Sequence, residues 1–260
     1  MMLVKHTLKR TMDEKQNRLI VVTGASGGLG SELVSYLIGN GYENIVCQYR
    51  SNDVALREVC SKRNVNFNHQ CFKADLTNED DVTRFHDWCN YFHGKPFGLI
   101  NFAGGSSNSM SWKLSKEEFA KTIDMNLMTT FLTCKAFIPD MRQMNEGRIV
   151  NVTSVVGFSG VAGASHYCAA KAAVVGFTKS ISLELANKNV TANALGLGYF
   201  DTGLITQVPE QLQQEIKQHI PLKRFGMTSE AGGIVRYLLS DEGAYSTGQV
   251  IHINGGVYSA

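Results

Sequence analysis

A tyrosine and a lysine lie four positions apart in the stretch "SHYCAAK", residues 165–171. In a helix, Tyr167 and Lys171 would share one face, where the cation would be close enough to assist proton transfer by the phenol. The same spacing is also typical of an ordinary pair on a helix surface. If the pair takes part in catalysis, the rest of the chain has to supply a third polar side chain and a site for an electron carrier.

A candidate for the third polar group precedes the tyrosine. Ser154 ends the apolar run "GRIVNVTS", and α/β folds place their sites at the carboxyl ends of parallel strands. A hydroxyl there can polarise a carbonyl group while a nicotinamide cofactor delivers hydride, although it can also simply cap the turn. A lysine cation about 4 Å from Tyr167 is predicted to lower the phenol pKa by up to about 3 units.

A glycine-rich stretch, "TGASGGLG" at residues 23–30, follows an apolar run and precedes an amphipathic one. Its glycines can turn tightly and let the backbone approach a pyrophosphate, whose charge the N-terminus of a helix favours. A plain tight turn between a strand and a helix is the alternative. About 20 residues further on, where a carboxylate would bind the ribose of NAD, the chain has Arg50. Its guanidinium can pair with a 2′-phosphate, which predicts NADP(H).

Strand-like runs alternate with amphipathic stretches, beginning with "RLIVVTG" at 18–24 and "SELVSYLIGNGY" at 31–42. This alternation predicts an α/β fold: a single-domain Rossmann-type doubly wound parallel sheet with helices on both faces. The domain is predicted to span residues 18–260. Residues 1–17, which are largely polar, are predicted to be a flexible N-terminal extension.

The motifs also occur in a characteristic order. "TGASGGLG", "NFAGG", Asn126, Ser154, "YCAAK" and "TGQVIHINGG" follow one another between residues 18 and 258. In this order they resemble the short-chain dehydrogenase/reductase family. Within it, "GRIVNVTSVVG" and "SDEGAYSTGQVIHINGG" are most similar to 3-oxoacyl-[acyl-carrier-protein] reductases.

The resemblance implies a role for each matching residue. Tyr167 would be the general acid/base, Lys171 its activator and a ribose ligand, and Ser154 the donor to the carbonyl oxygen. Asn126 would anchor a water of a proton relay, although an amide there can also serve only the helix backbone. Contacts with the cofactor are implied for Gly24, Ser26, Gly27, Gly28, Leu29, Gly30, Arg50, Asp75, Leu76, Asn101, Ala103, Gly104, Tyr167, Lys171, Gly198, Phe200 and Thr202. Of these, Asp75 and Leu76 would contact the adenine and Thr202 the nicotinamide amide.

The implied reaction is the NADPH-dependent reduction of a ketone to a secondary alcohol, and the implied substrate is a 3-oxoacyl thioester on acyl carrier protein or CoA. Another small alcohol or ketone is the alternative substrate. A cofactor-binding regulatory protein without turnover is the alternative class. Members of the family pair their helices, so a homotetramer or homodimer is expected.

The chain departs from the family pattern at several positions. Phe102 replaces the second asparagine of Asn-Asn-Ala-Gly, and Leu197 replaces the proline before Gly198. The glycine loop has Gly27 where NADP-preferring members often have a cation. Of two places where carrier-protein reductases use basic residues, one is occupied by Asn145, with Arg142 nearby, and the other keeps a basic residue, Lys188.

The composition narrows the class of partner. A formal charge of +2 over 260 residues is too weakly basic to indicate nucleic acid, and no apolar run approaches the roughly 18 residues of a membrane helix. The six cysteines are scattered singly, which suits a reducing cytoplasm. We therefore expect a cytoplasmic protein with a small-molecule carbonyl substrate and with neither nucleic-acid nor membrane partners.

Three further features complete the sequence-based predictions. Residues 199–225 interrupt the alternation with an amphipathic stretch that is predicted to be a lid; a subunit contact or a surface helix is the alternative. His86, Cys89 and His93 stand at helical spacing without an evident fourth ligand, so they are interpreted as ordinary helix residues and no metal is expected. His166 lies on a different helix face from Tyr167 and is assigned no role.

Overall fold

Seven parallel strands form the centre of the structure, a computed structural model that describes residues 17–259. Their order across the sheet is β3-β2-β1-β4-β5-β6-β7. The strands are β1 (Leu19–Thr23), β2 (Ile45–Tyr49), β3 (Cys71–Lys73), β4 (Pro96–Asn101), β5 (Gly147–Ser154), β6 (Val190–Leu197) and β7 (Val250–Ile253). The predicted doubly wound α/β fold is confirmed. The predicted N-terminal extension lies, apart from residue 17, outside the described residues.

Helices connect the strands and cover both faces of the sheet. They are α1 (Gly28–Gly39), α2 (Val54–Arg63), α3 (Phe67–Gln70), α4 (Glu79–His93), α5 (Lys116–Ile123), α6 (Thr129–Met144), α7 (Val156–Ser159), α8 (Ser165–Leu185), α9 (Glu210–His219) and α10 (Thr228–Leu239). A π-helical turn, Asp124–Met128, joins α5 to α6. Among the described residues, none of these helices is long and apolar enough to cross a membrane.

The alternation of side chains along the strands produces two separate cores. In β1, Ile20 and Val22 pack on one face of the sheet against α1 and α10, whereas Leu19 and Val21 pack on the other against α4, α6 and α8. Successive residues of a strand point to opposite faces. Because both faces are covered, the strands read as continuous apolar runs, as parallel sheets require.

The strand order reverses next to β1, which pairs with β2 on one side and with β4 on the other. Ligands of doubly wound folds bind in the crevice beyond the carboxyl ends of strands at such a reversal. The glycine-rich turn after β1 and the segment after β4 border this crevice. Ser154 ends β5, the next strand along.

Candidate active site

The turn after β1 is built around Gly24, whose φ of +60° lies in the left-handed region that favours glycine. A Cβ at this position would lie 2.7 Å from the Cα of Ala103, so the segment after β4 packs directly against the backbone. The amide of Gly24 donates to Oε1 of Gln48 at 2.9 Å, and Nε2 of Gln48 donates to the carbonyl of Ala74 at 2.7 Å. Gln48 thus connects the carboxyl ends of β1, β2 and β3.

The start of α1 presents backbone rather than side chains to the crevice. Its N-cap is Gly27, and no side chain among the described residues caps the helix. A Cβ on Gly30 would lie 2.6 Å from the carbonyl of Gly24, and a Cβ on Gly28 would lie 2.6 Å from the amide nitrogen of Gly203. Ser26 and Leu29 are half-buried beside these glycines. The uncapped amides and the helix dipole favour an anion here.

The far end of the crevice carries the residues predicted to bind the adenosine. Arg50 is exposed just beyond β2, and no residue that the structure describes forms an ion pair with it. Asp75 is half-buried, and its Oδ1 accepts from the amide of Thr77 at 3.0 Å. Leu76 is buried in the core next to α4, so it contributes backbone rather than side chain to the crevice.

Asn101 ends β4 with its amide turned into the protein. Its Nδ2 donates to Oδ1 of Asn151 at 2.8 Å, and its Oδ1 accepts from Oγ1 of Thr133 at 2.8 Å. The amide of Ala103 donates to Oγ1 of Thr23 at 3.2 Å. These buried bonds fix the end of β4 against β1 and β5. The cofactor side of this strand is therefore backbone, together with Ala103 and the exposed Gly104.

Lys171 is the buried cation of the site, with only 5% of its surface exposed. Its Nζ donates to the carbonyl of Val152 at 3.0 Å and lies 5.7 Å from the centre of the Tyr167 ring. Oγ1 of Thr153 donates to the carbonyl of Lys171 at 2.7 Å and joins α8 to β5. The phenol of Tyr167 is in hydrogen-bonding contact with the hydroxyl of Ser154. The three predicted catalytic groups therefore meet where β5 ends and α8 passes it.

Burial controls the protonation of this pair. It raises the pKa of the Tyr167 phenol to about 12, which the hydrogen bond with Ser154 offsets only in part. It also lowers the pKa of the Lys171 ammonium to about 8. The expectation that Lys171 lowers the phenol pKa is wrong for the chain by itself. The ammonium lies over the ring and bonds a backbone carbonyl, while the phenolate loses its hydration.

Asn126 lies in the π-helical turn and is fully buried. Its Nδ2 donates to the carbonyls of Gly105 and Thr122, at 2.8 and 2.9 Å, and its Oδ1 accepts from the amide of Gly105 at 3.3 Å. A Cβ on Gly104 would lie 2.5 Å from that Oδ1 and 3.4 Å from Nζ of Lys171. The amide thus holds the glycine pair after β4 beside the lysine.

The residues after β6 form the opposite wall. Gly198 packs against Asn254: a Cβ on Gly198 would lie 2.7 Å from the Cα of Asn254. Phe200 is only 5% exposed and belongs to the core rather than to the crevice. The hydroxyl of Thr202 faces Gly28, because a Cβ on Gly28 would lie 2.8 Å from it. Of the two departures from the family pattern, Leu197 is a buried member of β6 and Phe102 is half-buried.

The segment predicted to be a lid, residues 199–225, contains a 3₁₀ turn (Gly203–Gln207) and α9. Ile205 packs with Ile220 and Phe225, and Val208 and Ile216 join this small cluster. The predicted apolar face is therefore partly turned inward, although Leu212 is 46% exposed. The side chain of Leu204 lies outside the described part of the structure.

The histidines and cysteine at helical spacing in α4 have separate surroundings. Nε2 of His86 lies 2.7 Å from Oδ2 of Asp140, and Nε2 of His93 lies 2.8 Å from the carbonyl of His69. Cys89 is fully buried, which raises its pKa. Within residues 17–259, no three histidine, cysteine, aspartate or glutamate side chains are grouped as a metal site would require.

Sequence reasoning did not single out Gln48, Asn151 and Thr133, which position the site from within the protein. Their signal is a polar residue at a strand or helix position that is otherwise apolar, as Gln48 is within "IVCQY". Buried polar groups of this kind have to be hydrogen-bonded. Such a residue near the carboxyl end of a strand therefore indicates a network that fixes neighbouring elements.

Comparison with known proteins places the chain among oxidoreductases. The family "short chain dehydrogenase" matches residues 18–213. The acetoacetyl-CoA reductase of Acinetobacter sp. (strain RA3849) is 34% identical over 244 residues, which cover 94% of this chain and 98% of that protein. The 3-oxoacyl-[acyl-carrier-protein] reductase FabG of Rickettsia felis is 34% identical over 91% of this chain and 95% of its own length. Nodulation protein G of Rhizobium sp. (strain N33) is 32% identical over 95% and 99%.

Proposed function

The chain belongs to the short-chain dehydrogenase family, and from that premise we propose that it reduces the ketone of a 3-oxoacyl thioester to the secondary alcohol with NADPH. As a member of this family it is an oxidoreductase that uses a nicotinamide cofactor and acts on a carbon bearing a hydroxyl or keto group. The observation that carries the proposal is the meeting of Tyr167, Lys171 and Ser154 at the end of β5, beside the glycine turn.

Backbone geometry and charge at the crevice support the proposal of a bound dinucleotide. A pyrophosphate would be held at the uncapped start of α1, where Gly28 and Gly30 leave no room for side chains. The guanidinium of Arg50 is exposed and has no ion-pair partner among the described residues. It supports the choice of NADPH, because it would pair with the 2′-phosphate that NADH lacks. Asp75 would lie on the adenine side and Thr202 near the nicotinamide.

Each catalytic group has a distinct task in the proposed mechanism. NADPH, when bound, supplies the hydride. The Ser154 hydroxyl would donate a hydrogen bond to the substrate carbonyl, and the Tyr167 phenol, protonated at neutral pH, would donate the proton that the new alkoxide takes up. Lys171 would hold the ribose and favour the phenolate that remains. Asn126 would fix the backbone at Gly105 and would anchor a water that relays protons to Lys171.

The thioester is proposed from the relatives, two of which are named for acetoacetyl-CoA and 3-oxoacyl-carrier substrates. The test is the oxidation of NADPH by the purified protein with acetoacetyl-CoA, with the same acyl group on acyl carrier protein, and with simple ketones of equal length. Turnover of the thioesters in preference to the ketones is expected. Reduction of simple ketones alone would identify the alternative substrate class, and binding of NADPH without any turnover would favour the regulatory class.

We also propose that residues 18–260 form one catalytic domain and that the chain assembles as a homodimer or homotetramer. A groove of about 590 Å³ between α6 and α8 supports the assembly. Its walls are largely apolar, with Phe131, Ile138, Pro139 and Phe177 among them, and Phe131 is 38% exposed. A second copy presenting the same face would cover the groove.

A further inference from the structure

The segment that follows β4 is fastened to the catalytic elements at three alternate residues. Gly105 is held by the amide of Asn126. The amide of Ser109 donates to the carbonyl of Gly163 at 2.8 Å, just before α8 begins. Between them, Oγ of Ser107 lies 3.1 Å from Nε2 of His166. Residues 105–109, called here the rim segment, therefore run alongside the start of the helix that carries Tyr167.

The middle attachment is the unusual one. His166 is fully buried, and its Nδ1 has no hydrogen-bond partner among the described residues. Burying an imidazole with one nitrogen unpaired is unfavourable compared with an apolar side chain of the same size. Among the described residues, the hydrogen-bond partner of this buried imidazole is Ser107. That bond extends from the residue directly before Tyr167 to an exposed serine of the rim segment.

We propose that His166 is a positioning residue, which fixes the rim segment through Ser107 and thereby sets the affinity for the carbonyl substrate. This inference rests on the proposed function for its substrate. The rim segment begins at Gly105, next to the glycine that lies against Asn126 and Lys171. A displaced segment would change the wall beside the phenol while leaving the proton donor and the turn after β1 in place. His166 consequently acts on substrate binding through Ser107, not on the chemical step.

Three substitutions test the attachment. Ser107→Ala removes the bond from the exposed side, where the fold is not at risk, and His166→Leu removes it from the buried side. His166→Gln is the conservative variant, because its amide nitrogen reaches about as far as Nε2 of the imidazole. Ser106→Ala is the matched control, since the Ser106 hydroxyl bonds within the segment, to the carbonyl of Ser107 and not to α8.

The first measurement is hydrogen exchange of the rim segment in the protein without ligands, which needs no activity. Faster exchange is expected in Ser107→Ala and in His166→Leu, with wild-type rates in His166→Gln and Ser106→Ala.

The second measurement is steady-state kinetics with the ketone or thioester that the wild type reduces. We expect KM to rise about fivefold, the change for a lost hydrogen bond of ordinary strength, with kcat within about twofold. The double variant Ser107→Ala with His166→Leu should be no worse than either alone.

Unchanged exchange in a folded Ser107→Ala protein would overturn the proposal, as would additive effects on KM in the double variant. Additive effects would mean that Ser107 binds substrate directly and that His166 only packs. A fall in kcat with constant KM would place His166 in the chemical step and would also contradict it. Failure of the proposed function would be seen separately, as a wild-type protein that does not reduce thioesters. In that case the exchange measurement still decides whether the rim segment is fastened as proposed.

Discussion

The Lys171 ammonium lies 5.7 Å from the centre of the Tyr167 ring and donates its hydrogen bond to the carbonyl of Val152. The lysine is thus held at the site by β5, whichever protonation state the phenol adopts. Lys171 is buried and Tyr167 is half-buried, and the lost hydration disfavours the charge of each. A bound cofactor would change this balance by adding a hydroxyl-rich ribose and, once oxidised, a positive nicotinamide.

Replacing Tyr167 by phenylalanine removes the proposed proton donor and keeps the ring. Turnover is expected to fall by at least about 100-fold, the usual effect of a lost general acid, while NADPH binding stays within a few-fold. Stopped assays of thioester reduction and fluorescence titration of NADPH measure the two quantities. Tyr245→Phe is the matched control, because Tyr245 is fully exposed. Near-normal turnover of Tyr167→Phe would eliminate the proposed acid.

The buried lysine makes the stability of the protein depend on pH. Its pKa is about 8 in the folded chain and has an ordinary value of 10.5. Between these values the unfolded chain binds more protons, so the free energy of unfolding rises with pH across this window. Below about pH 8 the lysine destabilises the fold fully, by an amount of the order of 3 kcal/mol.

Lys171→Met removes the charge and keeps the length of the side chain. At pH 7 the variant is expected to be more stable than the wild type, and the difference should shrink toward zero as pH rises to about 10. Urea unfolding of both proteins, followed by circular dichroism at several pH values, measures this difference. A difference that stays constant from pH 7 to 10 would show that Lys171 does not titrate in this window. The variant should also lose activity at every pH.

Properties that depend on short-range sequence patterns are predicted correctly, whereas properties that depend on partners distant in the sequence are not. The glycine turn, the strand alternation and the positions of Ser154, Tyr167 and Lys171 follow from short-range patterns, and the fold is as predicted. The inward amide of Asn101 and the role of Gln48 depend on partners 50 and 26 residues away. The phenol pKa was predicted with the wrong direction because burial is a tertiary property, which a spacing of four residues does not report.

Arg50→Ala tests the choice of cofactor. If the guanidinium binds the 2′-phosphate, the affinity for NADPH should fall about 10- to 150-fold, the equivalent of roughly 1.5–3 kcal/mol for a charge-assisted contact. The affinity for NADH should change little. Titrations of both cofactors measure the two affinities, with Lys62→Ala as a control that removes an exposed cation of α2. Equal losses for the two cofactors would show that Arg50 does not recognise the phosphate.

The groove between α6 and α8 predicts that a charge on this face breaks the assembly. Phe131→Glu places a carboxylate on a partly exposed apolar position that lines the groove, where a second copy would have to bury it. The wild type is expected to sediment as a dimer or tetramer and the variant as a smaller species. Val54→Glu, on an exposed position of α2, should leave the assembly unchanged. A wild type that sediments as a monomer at micromolar concentration would contradict the proposed interface.

The segment 199–225 is proposed to close over the bound substrate, and its first part already touches the cofactor crevice. A Cβ on Gly28 would lie 2.6 Å from the amide nitrogen of Gly203 and 2.8 Å from the hydroxyl of Thr202. A ligand at the start of α1 therefore has to meet this segment directly. Its own packing is modest: among its described side chains, the buried apolar ones are Phe200, Ile205, Ile220 and Phe225, and α9 has none.

A segment with so few buried contacts opens at low free energy unless a ligand holds it. Hydrogen exchange across residues 199–225 is therefore expected to slow on addition of NADPH and to slow further when a substrate analogue completes the ternary complex. Peptides from the C-terminal end of α4 supply the internal control, because this end lies beside Asn44 at the start of β2, at the edge of the sheet opposite the crevice. They should exchange at the same rate in all three states. Equal protection of 199–225 with and without ligands, in protein shown to be active, would leave the segment as a subunit contact or a surface helix.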